Sequence, residues 1–283
     1  MKSFWLALMT IRESILKGTL LFYFVFGNAV ILLFAFAISS KTEGTSYVLT
    51  FFGKQMTPPM IGVLTPVDFV LFQLFQASTQ AVIFLGIFAT AGLIPSLLEK
   101  GTVELYLSKP MPRTQIFLAR SLGACAGIGA NLLYFATAIW IVFGIKVGVW
   151  HAGFLLATVM AIIVYVFYFS LVAVTAVVSR SSGFAIMLAF IYSFFSGALE
   201  IREMALYRLW DNVIYHRALD ALYYGTPQVT AMMNNAALLI GNIPNSPMAT
   251  TPTDFTAMPF LYSFLSASLF YGAGAWYFSR QDY

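Results

Sequence analysis

Six long apolar runs divide the chain, and short polar or charged stretches separate them. An α-helix rises about 1.5 Å per residue, so about 20 apolar residues cross the roughly 30 Å hydrocarbon layer of a membrane. We predict that each run is a membrane-spanning helix, since none contains an Asp, Glu, Lys or Arg. The predicted spans are residues 19–38, 69–98, 121–145, 152–178, 183–199 and 257–278. The pattern thus predicts an all-α polytopic membrane protein with one transmembrane domain over residues 1–283.

Residues 2–17 are predicted to form an amphipathic elbow helix on the membrane surface. Apolar side chains recur at helical spacing, a tryptophan lies beside them, and polar residues occupy another face, as in interfacial helices. The predicted apolar face consists of Phe4, Leu8, Ile11 and Ile15. An irregular cytoplasmic tail is the alternative interpretation.

Two longer connections differ in character. Residues 39–67 are interpreted as a polar connection, because they combine lysines with several prolines. Residues 200–256 mix charged and apolar side chains, which favours an amphipathic helix near the membrane surface. The neutral run 229–243 is too short to span, so we predict an external subdomain with a re-entrant or interfacial piece.

The composition indicates an integral membrane protein. Apolar residues make up 60% of the 283 residues and charged residues only 9%, whereas soluble domains carry about 25% charged residues. The net charge of +4 has meaning only for each side of the membrane, and it does not indicate nucleic-acid binding. The single cysteine, Cys125, excludes an internal disulfide and a multi-cysteine metal site.

No catalytic or metal site is predicted in this chain. Gly53 and Lys54 lack the upstream glycine of a nucleotide-binding loop, so the chain is not expected to hydrolyse ATP. His151 and His216 are isolated, and we interpret them as hydrogen-bonded interfacial residues rather than ligands. The small residues from Gly123 to Gly129 permit close helix packing, within the chain more readily than between chains.

The distribution of basic residues predicts the orientation. If both termini are cytoplasmic, that side carries nine Lys and Arg residues and the opposite side carries six. Basic residues near span ends favour the cytoplasmic side. We therefore expect a multi-pass protein of the inner (plasma) membrane with both termini in the cytoplasm.

Three glutamines give the second predicted span a polar face. Gln73, Gln76 and Gln80 recur at spacings of three and four, and amides in lipid need hydrogen-bond partners. They could line a translocation path or a subunit seam. Ordinary hydrogen bonding between helices, or exposure beyond the lipid on a protruding helix, is the alternative that the sequence favours slightly.

The densest cluster of charge between long apolar runs in the first two thirds of the chain is residues 98–113, with the sequence LEKGTVELYLSKPMPR. Residues 102–107 are long enough for about two helical turns, preceded by Gly101. Pro110 and Pro112 then end any helix, since proline lacks the N–H and clashes with the preceding turn. The expected result is a short, stiff, charged helix at the membrane surface.

The run EKGTVELYLSKPMPRTQIFLARSLG resembles the segment that follows the second span in permeases of the type-2 ABC exporter family. The resemblance implies a cytoplasmic coupling helix that docks on a separate ABC ATPase subunit, present in two copies and carrying the ATP and Mg. It also implies a second permease subunit, as a homodimer or a heterodimer, and no cofactor in this chain. The residues implied to bind the ATPase are Glu99, Gly101, Thr102, Glu104, Lys109, Pro110 and Arg113.

The resemblance therefore predicts the membrane subunit of an ATP-driven exporter, without indicating its cargo. The alternative is a polytopic membrane enzyme or an assembly factor that works through the external segment 200–256. That alternative requires a catalytic pair facing a cavity, and the sequence shows none.

Overall fold

The computed structural model describes residues 2–16, 18–43, 46–55, 66–98, 111–241 and 255–281. The described chain is mostly helical. Its α-helices are α1 Lys2–Leu16, α2 Thr19–Ala37, α3 Pro66–Thr90, α4 Arg113–Val147, α5 Ala152–Ser179, α6 Ser182–Glu200, α7 Val213–Gly225, α8 Val229–Ala237 and α9 Met258–Arg280. Two short 3₁₀ segments, Ala91–Leu93 and Pro95–Leu98, follow α3.

Among the described residues, five segments are long and apolar enough to cross a membrane. They are Leu20–Ala37, Val67–Leu98, Arg113–Val147, Ala152–Ser179 and Ser182–Glu200. The chain is therefore a membrane-embedded protein, and the first five predicted spans each correspond to one of these segments. Helix α9 is continuous over 23 residues, but serines and glycines recur among its apolar residues. The sixth span therefore stays a prediction.

The helical bundle has two ends, which polar contacts identify. At one end, Arg120 contacts Glu13, and Arg113 donates to the carbonyl of Gln281; we call this the Arg120 end. At the other, Lys146 donates to the carbonyl of Ile38 at 3.3 Å, and His151 lies 3.5 Å from Asp68; we call this the Asp68 end. Both the N-terminal helix and the end of α9 thus lie at the Arg120 end.

Helices α1 and α2 pack closely against α4 because two glycines of α4 leave room for them. A Cβ atom on Gly123 would lie 2.8 Å from the carbonyl oxygen of Ala7, and one on Gly127 would lie 3.1 Å from Leu20. The expected small-residue packing within the chain is confirmed. Helix α5 lies at the centre of the bundle, and Ala157, Val164 and Val172 on it are fully buried.

The predicted apolar face of α1 is not the face that packs against the bundle. Leu6, Thr10 and Ser14 are buried, while Leu8 and Ile15 are exposed. The two hydroxyls donate to carbonyl oxygens one turn earlier in α1, so these small polar residues can face the protein without a cost in unpaired groups. The larger apolar residues then point away from the bundle.

The connection after α2 contains β-structure, which the sequence analysis missed. Strands β1 Ile38–Glu43, β2 Ser46–Phe51 and β3 Lys54–Gln55 form an antiparallel sheet in that order. Strands β2 and β3 are joined by Phe52 and Gly53, both with positive φ, which is the geometry of a tight type I′ turn. In the register of this hairpin, Phe51 is paired with Lys54.

Two further boundaries differ from the prediction. Regular helix α3 ends at Thr90 and 3₁₀ turns continue to Leu98, so the expected distortion around Pro95 begins earlier. Helix α4 begins at Arg113, directly after Pro112, eight residues before the predicted start of the third span. The prediction excluded the arginines, whereas the helix continues through Arg120 because that charge is paired.

Residues 201–241 form turns and two short helices at the Asp68 end. Helix α8 is largely buried against α5 and α6, with Met232, Asn235 and Ala236 among its buried residues. Where the chain turns between α7 and α8, Tyr192 of α6 donates to the carbonyl of Pro227 at 2.7 Å. How residues 201–241 lie relative to a membrane is not shown by these contacts, so the re-entrant external subdomain stays a prediction.

Candidate functional site

Most of the predicted coupling residues lie outside the described part of the chain. They are Glu99, Gly101, Thr102, Glu104, Lys109 and Pro110. Arg113 is described and is the first residue of α4. Its Nη1 donates to the carbonyl oxygen of Gln281 at 2.6 Å, which ties the start of α4 to the end of α9.

A buried arginine organises the structure on both sides of that segment. Arg120 is fully buried on α4. Its Nη1 and Nη2 lie 2.7 Å and 2.9 Å from the two carboxylate oxygens of Glu13 on α1. Its Nε donates to the carbonyl of Leu93, and Nη2 also donates to the hydroxyl of Ser96, each at 2.9 Å. We call these four residues the Arg120 cluster.

The geometry explains how a charge is tolerated here. A guanidinium has N–H donors arranged in a rigid fork, and a carboxylate accepts two of them in parallel. Arg120 donates through both Nη atoms to the Glu13 carboxylate. Its Nε also donates to the carbonyl of Leu93, and its Nη2 to the hydroxyl of Ser96. A buried charge that lost such partners would be strongly destabilising. The cluster is therefore expected to hold its three structural elements in one arrangement.

Those three elements flank the predicted coupling segment. Leu93 and Ser96 lie in the 3₁₀ turns just before residues 99–110, Arg120 lies in the third turn of α4 just after them, and Glu13 lies on α1. A displacement of residues 99–110 relative to α1 would thus pull on charge-assisted hydrogen bonds. The charge pattern alone places Arg120 only among the basic residues near span ends, although an arginine within an apolar helix is itself a signal of a buried partner.

The three glutamines of the predicted path are not in equivalent surroundings. Gln73 and Gln80 are exposed, Gln76 is partly buried, and none has a hydrogen-bond partner among the described residues. The expected hydrogen bonding between helices is therefore not seen there. Gln73 lines a groove, as described next; Gln76 and Gln80 do not.

An apolar groove runs between α2, α3 and α4. Its volume is about 390 Å³, and Gln73, Ser78 and Asn131 supply its few polar side chains. Eight aromatic side chains line it: Tyr23, Phe24, Phe26, Phe34, Phe51, Phe69, Tyr134 and Phe135. We call this the α2–α3–α4 groove, and its chemistry suits hydrocarbon rather than a charged solute.

A second polar cluster lies at the Asp68 end. Arg202 Nε donates to Asp220 at 2.8 Å and its guanidinium stacks 3.8 Å from the ring centre of Tyr223. Tyr207 donates to the same carboxylate at 2.7 Å. Hydrogen bonding from Arg202 lowers the pKa of Asp220 below its ordinary value. We call Arg202, Tyr207, Asp220 and Tyr223 the Arg202 cluster.

The Arg202 cluster offers little for catalysis, because its charged groups are already engaged with one another. A nucleophile or general base needs a free reacting group within reach of a substrate. His216 stacks on Tyr207, with ring centres 4.1 Å apart, and His151 Nδ1 accepts from the N–H of Phe154, so both histidines have partners as predicted. Within the described ranges, no three His, Cys, Asp or Glu residues gather as metal ligands would.

Comparisons with known proteins identify no relative: no family model and no curated protein matches the chain. The functional assignment therefore depends on the resemblance of residues 99–123 and on the geometry around them.

Proposed function

We propose that this protein is the permease subunit of an ATP-driven exporter and that a separate ATPase works it through residues 99–113. The observation that carries the proposal is the Arg120 cluster, which ties both flanks of that segment to α1. A segment with fixed flanks can pass a displacement to the helices that it joins, whereas a freely hinged loop would absorb it.

In this proposal the chain forms six spans, with α9 as the sixth, and both termini face the cytoplasm. Two copies of the permease, or one copy with a similar subunit, surround a central path, and two ATPase subunits bind below. ATP and Mg bind on the ATPase. Closure of the ATPase moves residues 99–113, and the movement passes to α3 and α4.

The charges of the segment suit such docking. Glu99 and Glu104 are proposed to pair with basic groups on the ATPase, and Lys109 with acidic groups or lipid phosphates. Gly101 and Pro110 set the ends of the helix between them. Arg113 binds the carbonyl of Gln281, so its proposed role includes anchoring the segment to α9.

Purification of this protein from its native membrane, followed by a search for a bound ABC ATPase subunit, tests the proposal. Glu104→Arg reverses a docking charge, and Gly101→Trp adds bulk at the start of the helix; both should abolish transport-coupled ATP turnover. Asp211→Arg is the matched control, since Asp211 is exposed at the Asp68 end and has no ion-pair partner among the described residues. Coupled turnover equal to wild type in both segment variants would contradict the proposal.

The alternative, an enzyme or assembly factor working through residues 200–256, makes a different prediction. Alanine replacements across residues 200–220 should then abolish activity and leave any coupling to an ATPase unchanged. Loss of ATPase coupling in the Glu104→Arg variant, with activity kept in the alanine variants, would favour the exporter.

A further inference from the structure

We propose that the α2–α3–α4 groove binds one acyl chain of a membrane phospholipid whose phosphate lies against Lys54. The inference does not depend on the proposed function, because the groove and Lys54 lie apart from residues 99–113 and from the Arg120 cluster. It assigns a ligand to a cavity inside the predicted membrane region.

The groove has the shape of an extended chain. On α2 its lining runs from Tyr23 to Phe34, which is about 16 Å along the helix axis. On α3 it runs from Phe69 to Leu85, about 24 Å. The groove thus follows the direction of the membrane-spanning helices, which is also the direction of lipid chains.

The lining favours hydrocarbon. No Asp, Glu, Lys or Arg lines the groove. The side chain of Asn131 donates to the carbonyl of Gly127 at 3.0 Å, and the hydroxyl of Ser78 donates to that of Phe75 at 3.2 Å. These two side chains thus have partners within their own helices. The Gln73 amide and the Tyr23 hydroxyl have none among the described residues; they lie toward opposite ends of the groove, and the lining between them is mostly apolar.

One end of the groove carries a positive charge. Phe51 lines the groove and is the register partner of Lys54 across the β2–β3 hairpin. Directly opposite residues in an antiparallel pair project from the same face. Lys54 is exposed and has no ion-pair partner among the described residues. We therefore place the lipid phosphate at this exposed lysine, next to the Phe51 end of the groove.

The opposite end of the groove distinguishes an acyl chain from ligands that carry a polar group at both ends. Tyr23 lies there, buried, and its hydroxyl has no hydrogen-bond partner among the described residues. The methyl end of an acyl chain cannot accept a hydrogen bond. A phospholipid chain should therefore bind equally well to Tyr23→Phe, whereas a ligand with a polar group at that end should not.

The experiment uses the full chain in phosphatidylcholine vesicles containing a small fraction of phosphatidylglycerol with a photoactivatable acyl chain. Adducts are mapped by peptide mass spectrometry after irradiation. We expect the adducts to concentrate in residues 23–34 and 69–85. Their yield there should be well above the yield on the exposed face of α6, which measures background labelling by ordinary surrounding lipid. Lys54→Glu should reduce groove adducts by about fivefold, and Lys54→Arg should retain them.

Filling the groove provides the second arm. Ala77 lies in its lining, and Ala77→Phe should reduce the groove adducts by about tenfold, because a ring excludes about two methylenes of the chain. Ala29→Phe is the matched control, on an exposed position of α2 outside the lining. Gly27→Leu, also in the lining, repeats the test if Ala77→Phe does not remain monodisperse.

Three results would overturn the proposal. Adducts spread equally over α6 and the groove would mean surrounding lipid only. A photoactivatable free fatty acid that labels the groove and displaces the phospholipid would identify a different source of the chain. A loss of labelling in Tyr23→Phe would identify a ligand with a polar group at the Tyr23 end.

Discussion

The Arg120 cluster should contribute a large share of the stability of this protein. Arg120→Met keeps an apolar stem of similar length and removes the guanidinium. The variant loses both contacts to Glu13 and the hydrogen bonds to Leu93 and Ser96. Breaking a buried ion pair by removing one partner costs about 3–5 kcal/mol.

The structure favours the lower part of that range. Glu13 keeps 28% of its side chain exposed, so water can replace some of its lost hydrogen bonds. The hydroxyl of Ser96 also donates to the carbonyl of Leu93 at 3.0 Å, so these two buried groups keep a hydrogen bond to each other when Arg120 is replaced. We therefore expect the free energy of unfolding to fall by about 3 kcal/mol, which is a large fraction of typical stability.

Denaturant unfolding in mixed micelles, followed by circular dichroism, measures this loss. A double-mutant cycle with Glu13→Leu separates the pair from each residue alone. The double variant should be closer to wild type than the sum of the single losses, because no unpaired charge remains. Arg217→Met is the matched control: Arg217 is exposed on α7 and has no hydrogen bond among the described residues.

Two outcomes would refute this reasoning. Equal losses in Arg120→Met and Arg217→Met would show that the cluster contributes nothing beyond an ordinary surface arginine. Strictly additive losses in the cycle would show that Glu13 and Arg120 do not stabilise the fold as a pair.

Three other changes test separate parts of the fold. Gly123→Leu should undock α1, because even a Cβ there lies 2.8 Å from the α1 backbone; protease cleavage within residues 2–16 measures this. Tyr192→Phe should lower the thermal midpoint, because it removes two hydrogen bonds at the turn between α7 and α8. The lowered pKa of Asp220 predicts stability that is full above the ordinary value of 3.8 and is lost as the pH falls through the lowered pKa. In thermal scans, Asp220→Asn should therefore show a smaller decrease of the thermal midpoint as the pH falls.

Each of these changes has a matched control. Gly272→Leu places the same side chain on α9 in open space and should leave cleavage of residues 2–16 unchanged. Tyr277→Phe removes a hydroxyl without a hydrogen bond among the described residues and should leave the midpoint unchanged. Asp211→Asn changes an exposed carboxylate, so its acid profile should match wild type. Identical behaviour of a variant and its control would contradict the corresponding structural reason.

The apolar runs predicted the helices well because a membrane imposes length and composition together. Residues 152–178 and 183–199 match α5 and α6 within one residue at each end. The same reasoning placed the start of α4 too late, since it treated Arg113 and Arg120 as loop charges. Tertiary partners, Glu13 above all, make the buried position of Arg120 possible, and no sequence spacing connects Glu13 with Arg120.

Other differences arise where local and tertiary preferences compete. Thr10 and Ser14 look like an outward polar face, yet their hydroxyls bond within α1 and their small size suits the glycines of α4. Strand β2 had a signal in its run of aromatic and branched residues between Ser46 and Phe51. That signal was masked by the surrounding lysines and prolines, which favoured a polar connection.

Helix α4 has one further consequence for how this protein moves. It is a single unbroken helix of 35 residues, about 52 Å long and therefore longer than the hydrocarbon layer. A rod of that length turned by about 10° around its midpoint shifts each tip by about 4–5 Å, in opposite directions. A displacement of the Arg113 tip of such a rod thus implies an equal and opposite displacement of its Lys146 tip, at the Asp68 end.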